Sequence, residues 1–133
     1  MLIYESKERF ELWDFMEGLR VLVLRGGTGG LNTYNYVEVE FLGVFYLNIP
    51  TSLSGVCISK MSDEEIQHLP MRNLRKGVHG KFFAVKTEGR QFVIGALSVS
   101  AYYTKVSGIL PSIRDSGITI SDIEVIASSV DFN

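Results

Sequence analysis

The chain is poor in the residues that disulfides and soft-metal sites require. It has one cysteine, Cys57, and two histidines, His68 and His79, among 133 residues. One thiol cannot close an internal disulfide, and these side chains show no HxH, HExxH or CxxC spacing. No metal and no cofactor is expected. Nor is there an excess of either charge: thirteen Lys and Arg against fifteen Asp and Glu leave −2. A global polycation that would draw nucleic acid is therefore absent. Long apolar runs are missing too. The longest stretch without a charged residue, 41–59, is broken by Asn48, Pro50, Ser52 and Gly55, whereas a spanning helix needs about 20 mainly apolar residues. The opening MLIYESKERF lacks the basic and then apolar regions of a secretory signal. These absences predict a soluble, cytoplasmic protein without a membrane association. The single cysteine agrees with a reducing compartment.

Catalytic signatures are equally scarce. There is no GxSxG or SxxK around a serine. Cys57 lies between Val56 and Ile58 on a strand-like segment, where a thiol has no neighbouring base and reads as packing. The expectation leans away from an enzyme.

What is present is ordinary globular material, 46% apolar and 21% charged, enough for one domain over 1–133. In residues 5–17, Leu12, Phe15, Met16 and Leu19 recur at i, i+3, i+4 and i+7, the spacing of an amphipathic helix. A short strand competes there, because Phe10 and Leu12 alternate with Arg9 and Glu11. Residues 19–25 read as a strand. In 36–42, Val37, Val39 and Phe41 alternate with Glu38 and Glu40, which predicts a strand with a buried and a wet face. Gly43 marks a bend. Further strands are predicted at 55–60, 81–87, 91–104 and 118–128, the middle pair joined by the turn Glu88-Gly89-Arg90. Ser62 followed by Glu65 is a capping box with Met61 and Ile66 as its staple, so a short helix covers 62–69. A further turn can run from Pro70 to Gly77. Six to eight strands and two short helices, with few long helices between strands, indicate an α+β fold of mainly antiparallel β structure: a curled sheet, barrel or sandwich.

Three groups of residues invite a functional reading. The glycine-rich segment Arg25, Gly26, Gly27, Gly29 and Gly30 resembles a backbone cradle for an anion or partner, but it leads into a strand, without the helix of a phosphate loop. Residues 72–90 concentrate Arg72, Arg75, Lys76, His79, Lys81, Lys86 and Arg90 against Glu88 alone. With Phe82, Phe83 and Phe92 nearby, this segment can bind single-stranded nucleic acid, although an ordinary solvated face or an acidic partner explains it more simply. Glu38 and Glu40 share a face about 7 Å apart by strand rise, a spacing open to paired-carboxylate chemistry but more simply explained by solvent-facing alternation. Taken together, the sequence predicts a non-enzymatic macromolecular interaction module with a protein partner or a homodimer. A small-molecule-binding barrel, with or without hydrolytic activity, and a nucleic-acid binder are the alternatives.

Overall fold

The computed structural model describes residues 1–27, 34–69, 80–106 and 123–129. The first of these segments overturns the expected helix. Residues Leu2–Met16 form a fifteen-residue strand, β1, hydrogen-bonded over its first part to β5 (Ser52–Lys60) and over its last part to β2 (Val21–Gly27). The register explains the helical spacing. A bulge lies between Leu12 and Asp14, and Leu12 faces Leu24 while Phe15 faces Leu22. The extra residue brings i and i+3 to one side of a strand, which counterfeits a helical period.

Eight further strands and one helix follow among the described residues: β2 and β5 already named, β3 (Tyr34–Leu42), β4 (Tyr46–Asn48), α1 (Asp63–Gln67), β6 (Lys81–Thr87), β7 (Arg90–Ala96), β8 (Ser98–Val106) and β9 (Ile123–Ser128). All nine strands belong to one antiparallel sheet in the order β4-β7-β6-β5-β1-β2-β3-β8-β9. The helix expected at 62–69 is present, with both halves of the Ser62–Glu65 capping box formed. The expected turn at 70–77 and the start of the last strand at 118–122 lie outside the described residues.

Two bends shape the sheet. The single strand expected over 91–104 is divided at Leu97, and Gly43 interrupts the run from β3 to β4. The two breaks face each other: Leu97 N–H donates to the Leu42 carbonyl at 2.9 Å, and Phe45 N–H to the Gly95 carbonyl at 2.9 Å. Gly43 has φ of +64°, and a Cβ there would meet Leu97 at 2.6 Å, so both backbone and space require glycine.

One face of the sheet carries the main core. Phe10, Leu22, Leu24, Val39, Phe41, Leu53, Ile58, Phe83 and Val85 are all fully buried, and Phe41 meets Phe83 edge to face at 6.0 Å. Gly26 belongs to this packing, since a Cβ would lie 2.7 Å from the Phe10 ring. A smaller core lies across β6, where Met61, Phe82 and Ala84 pack with Phe45, Ile66 and Val93. Phe82 and Phe83 are therefore both buried, on opposite faces of one strand.

β3 departs from expectation in the same way. Val37, Val39 and Phe41 are buried as predicted, but Glu38 and Glu40, expected to be wet, are 1% and 6% exposed. Alternation marks which residues share a face. It does not say whether the second face is covered.

Candidate functional site

Four of the five buried polar side chains among the described residues, Arg25, Glu38, Glu40 and Ser100, gather on the second face across β2, β3 and β8, and the fifth, Thr87, is on β6. Arg25 and Glu38 are paired directly across β2 and β3, and both side chains are almost wholly withdrawn from water. Arg25 donates to Glu38 Oε1 through Nε at 3.1 Å and through Nη2 as well. Two donors on one guanidinium fix its plane as well as its position. Two ring faces meet the cation: the guanidinium carbon is 4.1 Å from the centroid of Trp13 and 4.1 Å from that of Tyr36. Trp13 reaches it because the β1 bulge turns the indole toward β2.

The arrangement is an aromatic–guanidinium–aromatic stack on a buried carboxylate. The cation is compensated by Glu38 and by both ring faces. Tyr36 itself is 5% exposed, and its hydroxyl is buried with no hydrogen-bond partner among the described residues. Burial holds this phenol above its ordinary range; the Arg25 charge pulls it down and the Glu38 charge pushes it up. Farther along the face, Glu40 is opposite Ser100, and the Ser100 and Ser128 hydroxyls meet at 2.9 Å between β8 and β9.

The residues singled out from sequence fall in separate places. Arg25 is bound to Glu38, and Gly26 and Gly27 continue β2 as strand; Gly29 and Gly30 lie outside the described residues. Of the basic cluster, Lys81 and Arg90 are described, at opposite ends of the β6–β7 hairpin, about 20 Å apart by strand rise. Lys86 is exposed between them. Arg72, Arg75, Lys76 and His79 lie outside the described residues. His68 is the C-cap of α1 and donates its backbone N–H to the Glu65 carbonyl at 3.2 Å. Cys57 is half-buried in an open groove of about 310 Å³, aligned between Glu5 on β1 and Lys86 on β6. No group of three or more His, Cys, Asp or Glu among the described residues is placed to hold a metal ion, and no helix among them is long and apolar enough to cross a membrane.

Sequence reasoning did not single out Trp13, Tyr36 or the burial of Glu38. One signal was available. Arg25 and Glu38 carry opposite charges on consecutive strands joined by the Gly-rich connection, and antiparallel pairing of those strands sets them against each other. Comparison of the chain with family models, with curated proteins and with solved structures gives no match.

Proposed function

We propose that the protein is a non-enzymatic interaction module that associates with itself through strand edges. The observation that carries this reading is that three of the nine exposed large apolar side chains among the described residues lie on the end strands. Leu47 is on β4 and Val125 and Ile126 are on β9, the two strands at the ends of the sheet order. Exposed apolar strands at sheet ends are templates for pairing with another chain. Residues 125–129 carry no charge, so nothing in their sequence opposes a second copy of the same strand.

Two bent runs within the sheet support the same reading. β3 and β4 form one bent run that pairs with the bent run of β7 and β8 along both halves, and β7 returns through β6, β5, β1 and β2 to β3. The core face of the sheet is filled by Phe10, Phe41 and Phe83, which favours recognition on the outside over a ligand inside.

Sedimentation across the micromolar range tests this function. The expected result is a mass that rises with concentration in the wild type and stays at one chain in a Val125→Lys, Ile126→Lys variant. A wild-type mass of one chain throughout overturns self-association. A saturable thermal shift with a small molecule, or steeply salt-dependent binding to single-stranded RNA, would favour the barrel or nucleic-acid alternative instead.

A further inference from the structure

The Trp13 stack lies at the end of β1 that β5 does not reach. Among the described residues, β5 pairs with β1 no farther than Glu11, with one more bond from Leu12 N–H to the Thr51 carbonyl at 2.8 Å. Beyond it, Asp14 to Met16 are held by β2 alone. No strand among the described residues pairs with its other edge. Both of its faces offer apolar surface: Trp13 and Phe15 are each 39% exposed, and Leu19 in the following turn is 69% exposed.

Trp13 is unusual among exposed aromatics because it is already held. Its inner face rests on the Arg25 guanidinium, which Glu38 and Tyr36 lock in place. An anchor ordered before binding forfeits little entropy on contact, and tryptophan dominates interface energetics where it is so supported. Arg25, Tyr36 and Glu38 are thus positioning residues for Trp13.

Charge decides what fits. From Glu5 to Glu17, five acidic side chains oppose Lys7 and Arg9. Glu11 and Asp14 are in register with Arg25 and Val23, which puts both on the Trp13 face. Phe15, opposite Leu22, belongs to the other face. An added strand alternates its side chains between the two faces. A second copy would bring Glu11, Asp14 and Glu17 against their own kind, which is repulsive.

Building on the interaction-module reading, we propose that the edge of β1 at 13–16 away from β2 docks an extended basic segment of a partner protein, its cationic side chains on the Trp13, Glu11 and Asp14 face and its apolar ones against Phe15.

Trp13 is the chain's one tryptophan, so its emission reads this surface directly. The probe is a peptide alternating Lys and Val, with a Glu–Val peptide as control. The expected result is a saturable change in Trp13 emission with the Lys–Val peptide alone, weakening as salt rises. An Asp14→Lys variant with unchanged far-ultraviolet circular dichroism should bind about tenfold more weakly. An unaltered emission up to millimolar peptide, an equal response to the Glu–Val peptide, or undiminished binding by Asp14→Lys overturns the proposal. Emission that changes with protein concentration and no peptide assigns the edge to a second copy and overturns it too. Sedimentation separates the two readings. If wild-type mass still rises with concentration while Trp13 stays silent, the module stands and this surface falls.

Discussion

Replacing Arg25 with methionine tests the centre of the second face. Methionine keeps much of the length and apolar bulk but removes the charge and the planar fork. Glu38, 1% exposed, then stays buried opposite a neutral side chain. Removing one partner of a buried pair costs about 3–5 kcal/mol, because the remaining charge has lost its compensation. Loss of the two ring stacks adds about 1 kcal/mol. Against the roughly 5–15 kcal/mol that holds a typical domain together, Arg25→Met should remove a large share of stability. The double variant Arg25→Met, Glu38→Met should recover most of it, within about 1 kcal/mol of wild type, since an apolar pair leaves no charge stranded. Urea denaturation followed by far-ultraviolet circular dichroism measures all three proteins, and the cycle isolates the coupling. A single-variant loss below about 1 kcal/mol would equate the pair with an exposed surface bridge and refute the reasoning. So would a double variant no more stable than the single.

Four other variants test named groups. Tyr36→Phe should stabilise the protein by about 1 kcal/mol in denaturation at neutral pH, because it deletes a buried hydroxyl that has no partner among the described residues. The Tyr36 phenol is held above its ordinary 10.0 by burial, so the unfolded chain releases its proton first and stability falls as pH rises through and above about 10. Tyr36→Phe should flatten that fall only in part, since Tyr4 is also raised by burial. Ser62→Ala should cost about 1 kcal/mol through the lost N-cap, read as a lower denaturation midpoint. Glu65 is held below 4.5, first by the Ser62 backbone N–H and then by its hydroxyl. The Glu65 carboxylate's contribution to the cap is therefore present above about 4.5 and lost as pH falls through the folded value, and an NMR titration of the variant should find the Glu65 carboxyl closer to 4.5. Val39→Asp should unfold the protein or drive it into aggregates, because Val39 is fully buried between Phe41 and Val37 on the core face. Glu40→Lys should also destabilise, by more than the roughly 0.5 kcal/mol of a surface exchange, because Glu40 is buried; soluble, fully stable protein in either case would place these faces wrongly.

Local chemistry was the most legible part of the sequence. Ser62 and Glu65 satisfy each other within one turn, so no distant contact can overrule them, and α1 begins where their spacing says. The core face of β3 was legible for a similar reason, since alternation of Val37, Val39 and Phe41 survives in a regular strand. β1 failed because its bulges are set by pairing partners outside its own fifteen residues. The irregularity at Leu12 and Asp14 belongs to the pairing with β2, and that between Ser6 and Arg9 to the pairing with β5. The β5 partner lies more than forty residues on and the β2 partner across the turn at 17–20, and the broken period imitates a helix. Glu38 failed differently. A carboxylate on the minor face of an amphipathic strand reads as solvated until its cross-strand partner is known. The site was hidden for the same cause, since Trp13, Arg25, Tyr36 and Glu38 come from three strands and meet only through the register.

That register gives the buried pair a second consequence. Arg25 opposite Glu38 satisfies both charges in one alignment of β2 and β3. A slip of one residue would turn either strand over and carry a charge into the face now filled by Leu24 and Val39. Methionines at both positions would tolerate the slip, because apolar groups have no partner to lose. They would also leave the indole of Trp13 on a flexible thioether in place of a planar cation. The double variant should accordingly keep most of its stability while the near-ultraviolet dichroism of Trp13 weakens and the Lys–Val peptide binds less tightly. Stability and the order of Trp13 are then separable, which is the outcome expected if the charges are kept to position the indole. A double variant with native Trp13 dichroism and native peptide affinity would show that apolar packing alone can seat the ring.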